Sequence, residues 1–157
     1  MRINLRDVSL GDSAILHEWR NEPSIRAVSI NSENIEIIDH VEWLRGRIEK
    51  CKSNPFWIVL LNDHLAGYVR FDRTLDADNI FEVSILLDPA FRGQGVGALV
   101  LNEAFNRILE EFGGCTIIAE VSTANIASLS VFVELGFQPL TSVNHFLKLS
   151  KIIKLDN

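Results

Sequence analysis

The stretch from Ile80 to Phe112 changes its period partway along, and this limits the folds open to the chain. Residues 80–87 form a β-rich apolar run that stops at Asp88-Pro89. Glycines then recur at 93, 95 and 97. Beyond them Leu101, Phe105, Ile108 and Phe112 fall at helical spacing until Gly113-Gly114 closes the helix. A strand therefore passes through a glycine-rich turn straight into a helix. Alternate glycines let the backbone approach a bulky ligand with no Cβ in the way. The first free N–H groups of the helix would point at that ligand, and the positive end of the dipole favours an anion. Arg92 adds a planar cation suited to phosphate. A pyrophosphate is the natural occupant, and a glycine-rich connection without any ligand is the plain alternative. A Walker A loop would need Gly-Lys-Ser/Thr, which is missing. A dinucleotide fingerprint would need Gly-x-Gly-x-x-Gly after the first strand of a βαβ unit. Neither fits.

The rest of the chain places this turn in context. Residues 2–7 alternate as a half-buried strand does, with Ile3 and Leu5 on one side. Asp12 or Ser13 can start a helix through Arg20, which Pro23 should end. Val41, Leu44 and Ile48 predict a second helix over about 39–51. Residues 56–61 and 65–72 read as a hairpin around Asn62-Asp63-His64, and 80–87 as the third strand of a meander. After the long helix come a strand over 116–121, a helix over 125–135 capped by Gly136, and a last strand over 146–153. The order is β, two helices, three strands, helix, strand, helix, strand. This is an α/β (α+β) sheet with helices packed on its faces, and 157 residues suit a single domain spanning 1–157.

Charge and cysteine content exclude some functions. A net charge of −6 argues against a nucleic-acid partner, which needs a clustered Lys/Arg face. Cys51 and Cys115 have no metal-like spacing and read as small buried hydrophobes in a reducing compartment, so no metal is expected. No apolar run is long enough to span a bilayer, and the chain is expected to be cytoplasmic, without a membrane partner. The sequence does not give the oligomeric state, and a homodimer is left open.

Two stretches then resemble one family. Arg92-Gly93-Gln94-Gly95-Val96-Gly97 matches the Arg/Gln-x-x-Gly-x-Gly/Ala signature of the GNAT superfamily of N-acetyltransferases. About thirty residues on, Asn125-Ile126-Ala127-Ser128 followed by Phe132 and Gly136-Phe137 resembles that family's second conserved stretch. The resemblance covers nearly the whole chain. It implies a mixed, mostly antiparallel sheet of six to seven strands, flanked by about four helices, with a V-shaped splay between the strands at 81–87 and 116–121. It also implies acetyl-CoA as co-substrate. Backbone groups of Ile85, Leu86 and Leu87 would pair with the pantetheine arm, and Arg92 and the amides of Gly93, Gln94, Gly95, Val96 and Gly97 would hold the pyrophosphate. Asn125 would contact the pantetheine and Ser128 would lie near the nucleotide; Asn125 also suits a plain helix N-cap.

The chemistry implied is attack of a neutral amine on the thioester, which asks for a base and for a proton on the departing thiolate. Glu82, on the same strand face as Ser84, and Glu120, the lone acid of 116–121, are the candidate catalytic carboxylates. Many family members carry a Tyr where this chain has Phe132, which cannot protonate sulfur. Tyr68 is the only Tyr, and its place in the hairpin gives no reason to reach the sulfur. Trp19-Arg20-Asn21 and His40-x-x-Trp43 are similar to the acetyltransferases of nucleotide-linked amino sugars, of the pseudaminic acid pathway type. By that resemblance Arg20, His40, Trp43 and Ser84 would line the site of a small-molecule amine acceptor. The helices are also similar to those of ribosomal-protein and polyamine acetyltransferases, and the missing Tyr leaves a non-catalytic acyl-CoA-binding protein as a further alternative.

Overall fold

The computed structural model describes residues 1–28, 35–75 and 79–156. Its strands are β1 (Ile3–Asp7), β2 (Phe56–Leu61), β3 (His64–Arg73), β4 (Ile80–Leu87), β5 (Cys115–Ser122), β6 (Gln138–Val143) and β7 (Phe146–Ile153). They form one seven-stranded sheet in the order β1-β2-β3-β4-β5-β7-β6. Every neighbouring pair is antiparallel except β4 and β5. The helices are α1 (Ser13–Asn21), α2 (Pro23–Arg26), α3 (Ile37–Glu49), α4 (Val96–Phe112) and α5 (Ile126–Glu134). Among the described residues no helix is long and apolar enough to cross a membrane.

Alternation along the strands divides the core in two. On β3, Val69 and Phe71 face α4 and α5, where Phe71 meets the rings of Trp57, Phe81 and Phe105 at 5.9, 6.4 and 6.2 Å. Tyr68 faces the other way, with Phe56 and Ile58, toward Leu16, Trp19 and Leu44 of α1 and α3. Helices thus cover both faces of the sheet.

Three expectations are corrected. Pro23 ends α1 but also opens a further turn of helix, because proline suits the first helical position and the Glu22 carboxylate accepts the N–H groups of Ser24 and Ile25. The second long helix runs from Ile37 to Glu49, two residues earlier than its apolar stripe suggests. Residues 138–143 form a strand that the sequence pattern does not show. All six are exposed, so no alternation of buried and polar positions marks them.

The β4–β5 ladder is short. It pairs Ile80, Phe81, Glu82 and Val83 with Thr116, Ile117, Ile118 and Ala119 and then stops. Residues 84–87 keep their partners on β3, and 120–122 keep theirs on β7. The two strands therefore part in the middle of the sheet, which is the expected splay.

Candidate functional site at the parted strands

Two cavities adjoin at this gap. The first, of about 430 Å³, is lined by Ile85, Leu86 and Leu87 on β4 and by Asn125, Ser128 and Phe132 on or beside α5. Its far wall is the glycine turn, with Arg92, Gly93, Gly95, Val96 and Gly97. The second, of about 320 Å³, lies toward α1 and is lined by Arg20, Tyr68, Arg70, Glu82, Ser84 and Glu120. Ile85, Leu86 and Phe132 line both.

The turn is built to stay open. Gly93 and Gly95 both have φ of +74°, where an L side chain is strained, and a Cβ placed on either would meet no protein atom within 4 Å. Gly95 is the N-cap of α4, and no side chain caps that helix, so its first N–H groups are unclaimed by side chains. Gln94 does not line the cavity; its amide donates to the carbonyl of Ala90 at 3.2 Å. At α5 the side-chain Oδ1 of Asn125 accepts the N–H of Ser128 at 3.2 Å, so Asn125 is an N-cap and a cavity residue together.

Arg92 does more than the sequence suggested. Its Nε donates to the Leu87 carbonyl at 2.9 Å and its Nη1 to Ser24 Oγ at 2.8 Å, with the Glu22 carboxylate 4.0 Å away. Just before the turn, Trp19 Nε1 donates to Asp88 Oδ2 at 2.8 Å. The corner between α1 and α2 is therefore braced against the segment 88–92 that leads into the glycines. Neither brace is marked in the sequence, since the partners are 68 and 69 residues apart. Trp19→Phe keeps an aromatic ring and removes the N–H. It should cost about 2 kcal/mol, the usual loss for a hydrogen bond to a charged group. A thermal melt should move down by several degrees, and an unchanged melting temperature would deny the brace any structural weight.

In the second cavity the two carboxylates feel one another. Burial, then the charge of Glu120, push the Glu82 pKa above the ordinary carboxylate value, more than Lys148 and Arg70 pull it down. Glu120 stands opposite Lys148 on β7. Tyr68 lines the cavity, in register with Leu86 and edge-on to Phe56 at 5.4 Å. Arg70 is a lining residue the sequence reading missed, and the alternation Tyr68, Arg70, Asp72 on β3 could have shown it.

His40 and Trp43 stand behind this wall and line neither cavity. His40 is 2% exposed, its ring 5.6 Å from those of His17 and Trp43. Burial, with the charges of Arg20 and His17, lowers its pKa to about 4, so it is neutral at physiological pH. Phe132 is 3% exposed and packs against Phe137 with centroids 5.0 Å apart, so no hydroxyl stands at that position. Cys51 and Cys115 are free, and burial raises both thiols, Cys115 to about 11, which leaves neither activated. Among the described residues no group of three or more His, Cys, Asp or Glu could hold a metal ion.

Residues 2–138 match the model of the GNAT acetyltransferase domain. The chain belongs to the GNAT acetyltransferases. It is 30% identical over 128 residues to a Bacillus subtilis (strain 168) protein with the provisional name phosphinothricin acetyltransferase, covering 79% of this chain and 76% of that one. The fold is shared with a phosphinothricin acetyltransferase from Sinorhizobium meliloti in complex with acetyl-CoA, at a TM-score of 0.78, 20% identity and coverage of 98% and 90%. It is shared equally with a spermidine N-acetyltransferase from Vibrio cholerae in complex with CoA and spermine, at 0.79, 19% and coverage of 96% and 94%. This GNAT enzyme uses acetyl-CoA, and the residues of the first cavity suit that molecule: an open glycine turn, an uncapped helix start and a strand edge without a partner.

Proposed function

We propose that this GNAT enzyme acetylates the primary amine of a small molecule that enters through the second cavity, with a nucleotide-linked amino sugar as the specific acceptor. The observation that carries the reading is the junction of the two cavities at Ile85, Leu86 and Phe132, with Glu82 and Glu120 on the acceptor side. Acetyl-CoA supplies an activated acyl group. The amides of the turn 93–97 would hold its pyrophosphate at the start of α4. The free edge of residues 85–87 would pair with its extended arm, and Asn125 and Ser128 would flank it.

On the acceptor side, Glu82 holds its proton more tightly than an ordinary carboxylate and so is a better base for an ammonium near neutral pH. Glu120 tunes it through their mutual repulsion. Phe132 gives no proton to the departing sulfur, and a thiol ionises at about pH 8.5, so departure as thiolate is tolerable. Arg20, on the cavity wall, supports a phosphate-bearing acceptor. His40 and Trp43 would act through Arg20 rather than by touching the sugar.

A panel of amines with acetyl-CoA tests this. Turnover of spermidine or a peptide but of no nucleotide amino sugar would sink the sugar assignment. Binding of acetyl-CoA with no amine acetylated would sink the enzymatic one. For the donor cavity, Gly95→Val places a branched side chain at φ +74° and fills the open side of the turn. Acetyl-CoA should bind roughly 100-fold more weakly, the scale of losing charge-assisted hydrogen bonds. Calorimetric titration reads this directly, and an unchanged affinity would reject the phosphate cradle.

A further inference from the structure

The second cavity carries charge of both signs. Glu82 and Glu120 are on β4 and β5, beside the gap; Arg70 is on the neighbouring strand β3, opposite Ser84, and Arg20 comes from α1. The two guanidinium carbons lie over one ring, that of Trp43, at 5.3 and 5.1 Å from its centroid. Among the described residues no carboxylate lies within 4.0 Å of Arg20. Arg70 stands 3.9 Å from Asp72, which Arg47 holds at 3.0 Å, and its charge also pulls on Glu82. Arg70 Nε is buried without a hydrogen-bond partner. Two cations brought to one aromatic ring repel each other, and a stacked guanidinium keeps its in-plane N–H donors free. Asp72 and Glu82 meet the charge of Arg70 only in part, and no carboxylate among the described residues pairs with Arg20, so the pair has room for an anion.

Resting on the reading that this cavity receives the amine, we propose that Arg20 and Arg70, held by Trp43, form an anion seat, and that the acceptor carries a carboxylate or phosphate group besides its primary amine. The amine goes to the carboxylate side next to the parted strands, and the anion goes to the guanidinium side. The arrangement selects against polyamines, which would set a second cation against Arg20 and Arg70. Trp43 is then a positioning residue: it fixes the two guanidiniums and does not touch the acceptor. Arg70 gains a role that neither its sequence neighbourhood nor the glycine turn discloses.

The test compares matched amines with and without the anion. One arm sets methionine against methioninamide, for a carboxylate. The other sets glucosamine 1-phosphate against glucosamine, for a phosphate. The wild-type enzyme should prefer the anionic member of at least one pair by about 10- to 100-fold in kcat/KM, the value of a charge-assisted hydrogen bond. Arg70→Gln and Arg20→Gln should each collapse that ratio through KM, and Arg70→Lys should restore part of it. Acetyl-CoA titration and a melt of each variant exclude simple misfolding. A preference for the carboxylate pair alone would remove the amino-sugar assignment and leave the seat standing. Faster turnover of spermidine or of both neutral members would overturn the seat, as would a preference that survives both substitutions. Should no amine be acetylated, the seat is still decided, by titrating CoA-saturated protein with propionate or ethyl phosphate. A saturable shift of the indole resonance that Trp43→Phe removes supports it, and no shift overturns it.

Discussion

Glu82→Gln should lower kcat/KM for the amine acceptor by about 10²- to 10⁴-fold, the range for loss of a positioned base. It should leave the fold at least as stable near neutral pH. The two expectations have one cause. The Glu82 pKa is raised first by burial and then by Glu120, so the folded protein holds that proton to a higher pH than the unfolded chain does. Stability from this group is fully present below the unfolded carboxylate pKa and is lost as pH rises through the folded value. A neutral amide avoids that loss. The same shift sets the acid limb of the rate profile: kcat/KM rises as Glu82 ionises, and the limb should vanish in Glu82→Gln. Glu120→Gln removes a like charge, which lowers the Glu82 pKa and moves the limb to lower pH. A pH–rate series on the three proteins checks all of this. A Glu82→Gln enzyme with unchanged kcat/KM and an unmoved acid limb would remove Glu82 from the chemistry.

Gly67→Ala should be among the most damaging single changes outside the aromatic core. Gly67 is on β3 opposite Leu87, beside a shift of register between β2 and β3. A Cβ there would lie 2.0 Å from the Leu86 carbonyl oxygen and 3.0 Å from Leu87 Cα. Both are main-chain atoms of β4, so no side-chain rotation relieves the contact; the strands must separate. Overpacking against a fixed backbone costs about 3 kcal/mol or more, and for a chain of this size that lowers the melting temperature by roughly 6–12 °C. Since Leu86 and Leu87 also wall the donor cavity, acetyl-CoA affinity should fall along with stability. A variant melting with the wild type would mean that β3 and β4 yield more easily than a paired ladder should.

The sequence revealed the donor half of the site more fully than the acceptor half, and the reason is locality. A turn of six residues carries its own signature, because left-handed φ and an uncapped helix start are written in its alternate glycines. Asn125 is legible for the same reason, being a cap on its own helix. Arg70 is legible only in part. The alternation Tyr68, Arg70, Asp72 gives the face it shares, but which face of β3 meets α1 depends on how the helices pack on the whole sheet. The braces from Trp19 to Asp88 and from Arg92 to Ser24 join segments far apart in the chain, so the sequence marked Arg92 purely as a phosphate ligand. His40 and Trp43 differ in another way. A motif suggested them for the acceptor, and in the fold they line neither cavity, with the Arg20 and Arg70 guanidiniums over the Trp43 ring.

The four-residue ladder between β4 and β5 has a last consequence, for exchange with solvent. Beyond Val83 and Ala119 the facing main-chain groups of these strands are not tied to one another, although each strand lies in the interior of the sheet order. Amide hydrogens pointing into that wedge lie in the middle of the sheet and should still trade for deuterium as quickly as those of an edge strand. An extended acyl-carrier arm laid in the wedge would serve as an eighth strand, slowing their exchange and closing the sheet only while the donor is bound.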